Sequence, residues 1–406
     1  MKKTLVICPE YPLPENSGAN IRTMNFVRYF MQFGPIDIAY YRILSKTEKV
    51  NSIFLNKYLL EPTDISKSFK RRLISGVISG VPIPLKNITT ESKHFLLSLI
   101  VENDYDYIVV RYVHSCSCLF RLKKKFRQRI ILDVDDIQSG TLYEAKFGSI
   151  DNMFQKYAMN VNRKILVRYE KKCLRLGTPL FCSKEDQQLL ANSENCNESF
   201  VVPNIFIDKS FDHYDFGDGF KRGNVILFIG TLNYRPNREG LIWFINNIFP
   251  HFKIEYPDGK LIVVGRTPAT PLRKMCEDTI GVDIYTDVPD VKEYYKQCRA
   301  AVIPLLSGGG TRIKILETIR ANRPVMSTSK GAEGLGLKNS REILIFETAD
   351  EFLCCYKELK EREKYHSLIQ NAKYTVSSRY SEKKFEDVME RVVRSIEEKS
   401  HRINGF

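Results

Sequence analysis

The chain has 406 residues, of which 43% are hydrophobic, and a net charge of +14. This length exceeds one ordinary domain and predicts two domains of similar size, each with enough apolar residues for its own core. Most of the positive charge lies in the first half. That excess favours an anionic partner such as a phosphate, an anionic membrane surface or nucleic acid, although charge that only maintains solubility would produce the same excess.

Ten cysteines lie at irregular positions. Cys116 and Cys118 are one residue apart, and Cys354 and Cys355 are adjacent; neither spacing is that of a zinc site or of a disulfide framework. The N-terminus begins like a signal peptide, but its apolar stretch is short and is interrupted by prolines and Glu10. No apolar run is long enough to span a membrane. We therefore expect a protein of the reducing cytoplasm.

Short apolar runs alternate with amphipathic stretches along the first half of the chain. The runs lie at 4–8, 36–40, 106–111, 129–134, 179–183 and 199–203. Several are nearly continuous Val, Ile, Leu or Phe, which is typical of strands buried on both faces of a sheet. After the first run, residues 20–34 have helical spacing and end at Gly34 and Pro35. The alternation predicts βαβ units and a parallel sheet.

The second half repeats this alternation, with apolar runs at 224–230, 260–265, 282–287, 300–304, 324–328 and 342–346. The polar stretch 208–224 between the two series is the expected linker, and the chain from Ala349 onward reads as two or three helices. We therefore predict an α/β fold with two doubly wound Rossmann-like domains, at 1–212 and 213–375, followed by a helical tail at 376–406 that packs back on the N-terminal domain. Ligands of such sheets bind beyond the carboxyl ends of the strands, so two facing domains predict a cleft between them.

The run SGGGTRIKILE at 307–317 follows the strand predicted at 300–304. Glycines let the backbone approach a ligand and turn its N–H groups toward it, and a helix that begins near Thr311 adds partial positive charge. Arg312 and Lys314 supply hydrogen-bond donors for phosphate oxygens, and Glu317 supplies a carboxylate that can accept hydrogen bonds from ribose hydroxyls. The run therefore predicts a nucleoside diphosphate site.

A glycine-rich turn with a surface ion pair between Lys314 and Glu317 would give the same local sequence. The Gly-Lys-Ser/Thr ending of a Walker loop is missing, and no G-x-G-x-x-G follows a predicted strand. The run therefore belongs to neither of these phosphate-binding motifs.

The segment IPLLSGGGTRIKILETIRANRPVMSTSKGAEGL at 303–335 resembles the donor-binding segment of the retaining GT-B glycosyltransferases of glycosyltransferase family 4. The resemblance covers nearly the whole chain and continues at 11–30, 106–115, 130–139, 181–204, 226–250, 261–268 and 287–305. It implies a GT-B fold and transfer of a hexosyl group from a UDP- or GDP-sugar, with retention and without a metal or other cofactor. The acceptor would be a hydroxyl of a saccharide or a lipid-linked compound, in the synthesis of a cell-surface polysaccharide or glycoconjugate.

The resemblance also implies residue roles in the second domain. Arg312 and Lys314 would neutralise the donor diphosphate during catalysis, and Glu317 would bind the ribose. Backbone and loop contacts with the donor would come from Gly230, Thr231, Val288, Pro289, Gly309, Gly310 and Thr311. The family motif has a first Glu at the position of Gly309, so this chain lacks the carboxylate that touches the donor sugar in relatives.

In the N-terminal domain the resemblance singles out the loop after strand 4–8 and the end of strand 106–111. Ser17 and Gly18 would approach the donor phosphates or the acceptor, and an ordinary strand-to-helix turn is the alternative. His114 would act beside the donor sugar, or is only structural. Arg111 would meet an anionic acceptor or the donor. Of the neighbouring acids, Asp133 is expected to be structural, and Asp135 and Asp136 to lie on the acceptor side or cap a helix.

Two basic stretches, 65–87 and 121–129, suggest a surface that rests on anionic lipid at the inner face of the cell membrane, although a solvated helix face fits them equally. Two rival functions also remain. A nucleotide-sugar epimerase with the same fold would need acid and base groups facing the sugar. A basic nucleic-acid-binding protein would usually show interleaved aromatic residues or a known motif, and we expect no nucleic-acid partner.

Overall fold

The computed structural model describes residues 1–15, 17–41, 53–62, 88–135, 137, 139, 153–191, 198–309 and 312–404. The chain folds into two compact units. The first contains Met1–Pro203 together with Phe385–Phe406, and the second contains Asn204–Lys384. Each unit has a parallel β-sheet with helices and is an α/β fold, as the alternation of apolar runs predicts.

The first unit contains a parallel sheet of seven strands in the order β3-β2-β1-β4-β5-β6-β7. Its strands are β1 Thr4–Cys8, β2 Ile36–Tyr40, β3 Asn56–Leu59, β4 Tyr107–Arg111, β5 Ile130–Asp135, β6 Thr178–Phe181 and β7 Phe200–Val201. All six strands expected from the apolar runs are present. The strand β3 was not expected because its residues NKYL are mostly exposed at the sheet edge and show no buried run.

The helices of the first unit follow the βαβ pattern. They are α1 Gly18–Met31, α2 Thr90–Asn103, α3 Lys124–Arg127, α4 Met153–Cys173 and α5 Lys184–Ala191. Helix α1 begins where the Ser17 hydroxyl accepts a hydrogen bond from the Asn20 amide at 3.2 Å. The chain leaves this helix through Gly34, whose φ of +152° and close approach to the Lys2 carbonyl suit a residue without a Cβ atom.

The second unit contains a parallel sheet of six strands in the order β10-β9-β8-β11-β12-β13. Its strands are β8 Val225–Thr231, β9 Lys260–Arg266, β10 Val282–Thr286, β11 Ala300–Ile303, β12 Val325–Ser327 and β13 Leu344–Ile345. The helices of the unit are α6 Lys209–Asp212, α7 Arg235–Asn247, α8 Phe249–Glu255, α9 Thr270–Asp278, α10 Lys292–Gln297, α11 Ile313–Arg320, α12 Ser329–Ala332, α13 Ala349–Glu358 and α14 Arg362–Arg379. Every strand expected in this half is present.

The boundary between the units lies at Pro203–Asn204, earlier than the expected boundary after residue 212. Residues of the polar stretch belong to the second unit because Phe211 and Phe216 are buried in its core and Arg320 pairs with Asp212 at 2.7 Å. The expected linker 208–224 is therefore part of a folded unit.

The last helix, α15 Glu382–Asn404, packs on the first unit from Phe385 onward. The Phe385 ring lies 5.5 Å from Phe26, and Ser395 donates a hydrogen bond to Glu198 at 2.5 Å. The expected tail began at residue 376. The structure keeps 376–384 with the second unit because α14 continues to Arg379.

Both sheets reverse their strand order at one position, between β1 and β4 in the first unit and between β8 and β11 in the second. In open α/β sheets, the carboxyl ends of the two strands at such a switch point flank a crevice that binds ligands. In the part of the chain that the structure describes, no helix combines the length and the apolar character needed to cross a membrane.

Candidate functional site

The switch point of the second unit brings together two segments that are far apart in the sequence. Strand β11 pairs with β8 through Ile226 and Leu227, while β8 continues beyond this pairing to Gly230 and Thr231. The glycine run follows the carboxyl end of β11. Two of the predicted donor-binding segments therefore flank one crevice.

The glycine run packs against the start of helix α7. Gly308 has a φ of +102°, and a Cβ atom at this position would lie 3.2 Å from Pro236. The neighbouring Ser307 is 5% exposed, and its hydroxyl has no hydrogen-bond partner among the described residues. Gly309 is partly exposed. Gly310 and Thr311 lie outside the described residues, so their expected N–H contacts stay predictions; the N-cap position of the helix that follows is Arg312 and not Thr311.

The Arg312 guanidinium turns back onto the glycine run. Its Nη2 donates to the Gly308 carbonyl at 2.6 Å, and its Nη1 donates to the Gly309 carbonyl. The side chain is buried, and helix α11 begins at the next residue, Ile313. Arg312 therefore braces the loop in this structure, and direct contact between Arg312 and a diphosphate stays a prediction.

Lys314 is held by a residue that the sequence analysis did not single out. Its Nζ donates to Oδ1 of Asn237 at 2.7 Å, and Nδ2 of Asn237 donates to the Thr231 carbonyl at 3.0 Å. The ammonium also lies 5.5 Å from the centre of the Phe228 ring. Burial, together with the nearby Arg312 charge, lowers the pKa of Lys314 to about 7. The signal for Asn237 in the sequence was its place shortly after the strand predicted at 224–230, at the edge of the sheet where ligands bind.

Glu317 lies on the same helix as Lys314, and its carboxylate hydrogen-bonds with the Tyr295 side chain. Burial, together with the negative charge of Asp208, raises the pKa of Glu317 to about 7, and Asp290 adds to the shift. The opposite charge of Lys314 works against the shift. Helix α11 thus carries one lysine and one glutamate whose pKa values both lie near 7.

Gly230 has no room for a side chain, because a Cβ atom there would lie 2.8 Å from Nδ2 of Asn237. Val288 and Pro289 follow β10 at the same edge of the sheet. Val288 packs partly buried against the core, while Pro289 is exposed. The contacts of these residues with a nucleotide base or phosphate stay predictions.

In the first unit, Ser17 and Gly18 lie at the start of α1, after the loop that follows β1. The Ser17 oxygen is occupied as the cap of α1, and Gly18 is the first residue of that helix. The local geometry is that of a strand-to-helix turn at the switch point of the first sheet. A ligand contact for either residue stays a prediction.

Arg111 lies at the other side of this switch point and is fully buried. It forms ion pairs with Asp133 and, at 2.9 Å, with Asp135, and its Nε donates to the Thr23 hydroxyl at 3.0 Å. Arg22 is buried beside it and holds both oxygens of Asp133, at 2.9 Å and 2.6 Å. The guanidinium of Arg111 thus takes part in an internal network and has no solvent-exposed surface, and its expected contact with the acceptor or the donor stays a prediction. Asp136 lies outside the described residues.

His114 lies in a 3₁₀ turn, Val113–Cys116, directly after β4. Its ring stacks on Tyr112 at 5.1 Å, and the Arg111 guanidinium lies 4.7 Å from the centre of the Tyr112 ring. Burial and the Arg111 charge lower the pKa of His114 to about 4, so the imidazole is neutral at physiological pH. Tyr112 has a φ of +67°, a strained conformation that tends to occur at functional sites.

A cavity of about 10 Å³, the size of one water molecule, adjoins His114. Its lining includes Ser115, Ser117 and Tyr41. Within the described ranges, no group of three or more His, Cys, Asp and Glu side chains is arranged to hold a metal ion.

Residues 223–356 match the family model described as glycosyl transferases group 1. The match runs from before β8 into α13 and includes Lys314 and Glu317. The matched segment lies entirely within the second unit.

A relative from Klebsiella pneumoniae, described as an uncharacterized 44.6 kDa protein in the cps region, is 22% identical over 364 residues, which cover 85% of this chain and 87% of the relative. Among solved structures, sucrose-phosphate synthase from Thermosynechococcus elongatus is similar with a TM-score of 0.70 and 12% identity, over 98% of this chain and 99% of that one. HepE of Anabaena in complex with UDP is similar with a TM-score of 0.66 and 11% identity, over 97% and 100% of the two chains. These structures establish the two-domain GT-B fold, and together with the family match they support a glycosyltransferase.

Proposed function

We propose that this protein, a GT-B fold with a group 1 glycosyl transferase domain in its second unit, is a retaining glycosyltransferase of family 4. It transfers a hexosyl group from a UDP- or GDP-sugar to a hydroxyl of a saccharide or lipid-linked acceptor, in the synthesis of a cell-surface polysaccharide or glycoconjugate. The observation that carries the proposal is the switch point between β8 and β11, where Arg312 holds the glycine run and Lys314 donates to Asn237, which itself donates to the Thr231 carbonyl at the end of β8. The relative in a cps region and the UDP complex of HepE support the same proposal.

The leaving group of such a reaction is a nucleoside diphosphate, which gains negative charge as the sugar departs. In our proposal Lys314 and the N–H groups at the start of α11 stabilise that charge more strongly in the transition state than in the ground state. Arg312 keeps the carbonyls of Gly308 and Gly309 tied back, so the N–H groups of the run are left for the diphosphate. Glu317 accepts hydrogen bonds from the ribose hydroxyls.

The first unit supplies the acceptor side in this proposal. The acceptor hydroxyl attacks from the face that the diphosphate leaves, and the departing phosphate takes its proton. Ser17 and Gly18 line the acceptor loop. His114 acts as a neutral hydrogen-bonding group toward the donor sugar, which agrees with its lowered pKa. Because Gly309 supplies no carboxylate, backbone N–H groups contact the donor sugar in its place.

Metal independence is part of the proposal and has a direct test. Lys314 and the start of α11 supply the positive charge that the leaving diphosphate requires. We expect the transfer rate to be unchanged after treatment with EDTA. A loss of activity that Mg²⁺ or Mn²⁺ restores would refute this point and leave the transferase assignment intact.

The donor site is tested by substitution at Lys314 and Arg312. We expect Lys314→Ala and Arg312→Ala to lower turnover by about two to three powers of ten, the usual cost of losing one positioned charge. Lys274→Ala on α9 removes an exposed cation of the same unit and should retain wild-type turnover. Melting temperatures verify folding. Near-wild-type activity of both site variants would refute the assignment.

A panel of nucleoside diphosphate sugars identifies the reaction class. The transferase releases nucleoside diphosphate when acceptor is present and hydrolyses the donor slowly without it, because closure of GT-B enzymes excludes water. An epimerase would change the sugar without releasing nucleotide. A nucleic-acid-binding protein would show no change in melting temperature with any donor of the panel.

Contact with anionic lipid is a further part of the proposal. The stretch 65–87 lies outside the described residues. The stretch 121–129 contains α3, and Lys123, Lys124 and Lys125 at the start of this helix are exposed. Sedimentation with phosphatidylglycerol vesicles at low salt tests it, and we expect substitution of these three lysines by Ser to abolish binding. A wild-type protein that stays in solution with the vesicles would refute lipid contact.

A further inference from the structure

Asn237 joins the two sides of the switch point in the second unit. It lies in the first turn of α7, is 6% exposed, and uses both ends of its amide. Its Nδ2 donates to the Thr231 carbonyl at the end of β8, and its Oδ1 accepts from Lys314 on α11. One side chain therefore connects three elements that flank the crevice.

The partners of Asn237 fix which way its amide points. An ammonium group only donates and a backbone carbonyl only accepts, so the oxygen must face Lys314 and the nitrogen must face Thr231. Gly230 is in contact with the same amide, and a side chain there would displace it. The environment thus holds Oδ1 of Asn237 at one place, 2.7 Å from the Lys314 ammonium.

We propose that Asn237 is a positioning residue that holds the Lys314 ammonium at the end of β8, where a nucleoside diphosphate would bind. The proposal deepens the function proposed above and rests on it for the identity of the ligand. The contact between Asn237 and Lys314 exists without any ligand, so it can be tested separately.

A neutral oxygen suits this task better than a carboxylate does. The charged groups that act on Lys314 among the described residues are Arg312, which adjoins its helix, and Glu317, one turn further along. The elements packed against it contribute the neutral Asn237 and the Phe228 ring. An amide oxygen orients the ammonium while leaving its charge for an incoming anion. A carboxylate at the same position would pair with that charge and repel a diphosphate.

Two substitutions separate orientation from charge. Asn237→Asp keeps the size of the side chain and replaces the amide by a carboxylate. Asn237→Leu keeps a similar volume and removes the acceptor. Asn247→Asp, on the exposed last turn of the same helix, introduces an identical change of charge away from the crevice and is the matched control.

The first measurement needs no ligand. Lys314 is titrated in the full chain by NMR with ¹³Cε-labelled lysine, and its signal is assigned by its loss in Lys314→Arg. We expect Asn237→Asp to raise the pKa of Lys314 by about one unit or more, because a negative charge replaces a neutral acceptor. Asn247→Asp should leave it unchanged. An equal pKa of Lys314 in wild type and in folded Asn237→Asp would overturn the proposal.

The second measurement is the affinity for UDP-glucose by calorimetry at pH 7. We expect Asn237→Asp and Asn237→Leu to weaken binding at least about tenfold, whereas Asn247→Asp binds as the wild type does. A merely structural Asn237 would lower the melting temperature and leave the affinity of the folded protein unchanged, which would refute positioning. If Asn237→Leu does not fold, Asn237→Asp decides both measurements.

The two proposals fail in different ways. A wild-type protein that binds no member of a UDP- and GDP-sugar panel would contradict the proposed function, while the Lys314 titration would still decide whether Asn237 holds the ammonium. A wild-type protein that binds UDP-glucose, with variants of Asn237 that bind it equally, would leave the transferase in place and remove Asn237 from the site.

Discussion

The buried network of the first unit gives a quantitative prediction about stability. Asp133 is fully buried between Arg22, which holds both of its oxygens, and Arg111, which pairs with one of them. Asp133→Asn keeps the shape of the side chain but removes the negative charge. Two buried guanidinium groups would then share Asp135, which is 13% exposed, as their remaining carboxylate in this network.

The expected cost follows from the burial of the partners. Removing one member of a buried ion pair costs about 3–5 kcal/mol because the other charge stays buried without compensation. The side chains of Asp133, Arg22 and Arg111 are at most 1% exposed, so water cannot replace the lost charge. We therefore expect Asp133→Asn to destabilise the first unit by about 3 kcal/mol or more, which corresponds to a loss of protection against amide exchange of about two powers of ten.

Hydrogen–deuterium exchange with peptide mass spectrometry localises the effect. Peptides of β4 and β5 should exchange faster in Asp133→Asn. The matched control is Asp104→Asn, which breaks a pair with Arg129 in which Asp104 is 59% exposed. Asp104 has a φ of +48°, which Asn also tolerates, so this change should cost no more than about 1 kcal/mol.

Equal exchange of β4 and β5 in the two variants would refute the reasoning. Such a result would mean that Asp133 carries no more stability than a surface carboxylate does. Loss of activity alone, with unchanged exchange, would instead return Arg111 to the ligand-contact role expected from the sequence.

Three further predictions concern the second unit. Because the pKa of Lys314 is lowered to about 7, Lys314 loses its positive charge as the pH rises through 7. Calorimetry should therefore show that the affinity for UDP-glucose falls by up to about tenfold per pH unit above 7. If a Lys314→Met protein shows the same fall in affinity at alkaline pH, Lys314 is not the cause. Glu317 takes up a proton as the pH falls through about 7, so the affinity for UDP-glucose should also fall on the acid side in the wild type but not in Glu317→Gln. If the affinity of Glu317→Gln still falls at acid pH, another group is responsible. Arg323 is 1% exposed and, among the described residues, donates only to backbone carbonyls. We expect Arg323→Met to lower the free energy of unfolding in urea by several kcal/mol, because each carbonyl left without a donor costs about 1–3 kcal/mol. A decrease of less than about 1 kcal/mol would contradict this account.

The strands of both sheets were predictable because a strand covered on both faces needs a continuous apolar run, and such runs are visible locally. The edge strand β3 was not predictable, because its pairing with β2 rather than its own composition makes it a strand. The boundary at Pro203 was missed for a related reason. Phe211 and Phe216 become core residues only through partners such as Tyr295, which lies far along the chain.

The sequence by itself determined the α/β class, the order of the strands along the chain, and the glycine run with its two cations and its carboxylate. Those features are local, since they depend on residue types and their spacing. The tertiary structure decided which partners the charged side chains have. It turned Arg312 onto its own loop, enclosed Arg111 between two aspartates, and placed Asn237 against Lys314. A long polar side chain satisfies its donors with whatever acceptor the fold brings near it, and that acceptor is set by contacts between distant segments.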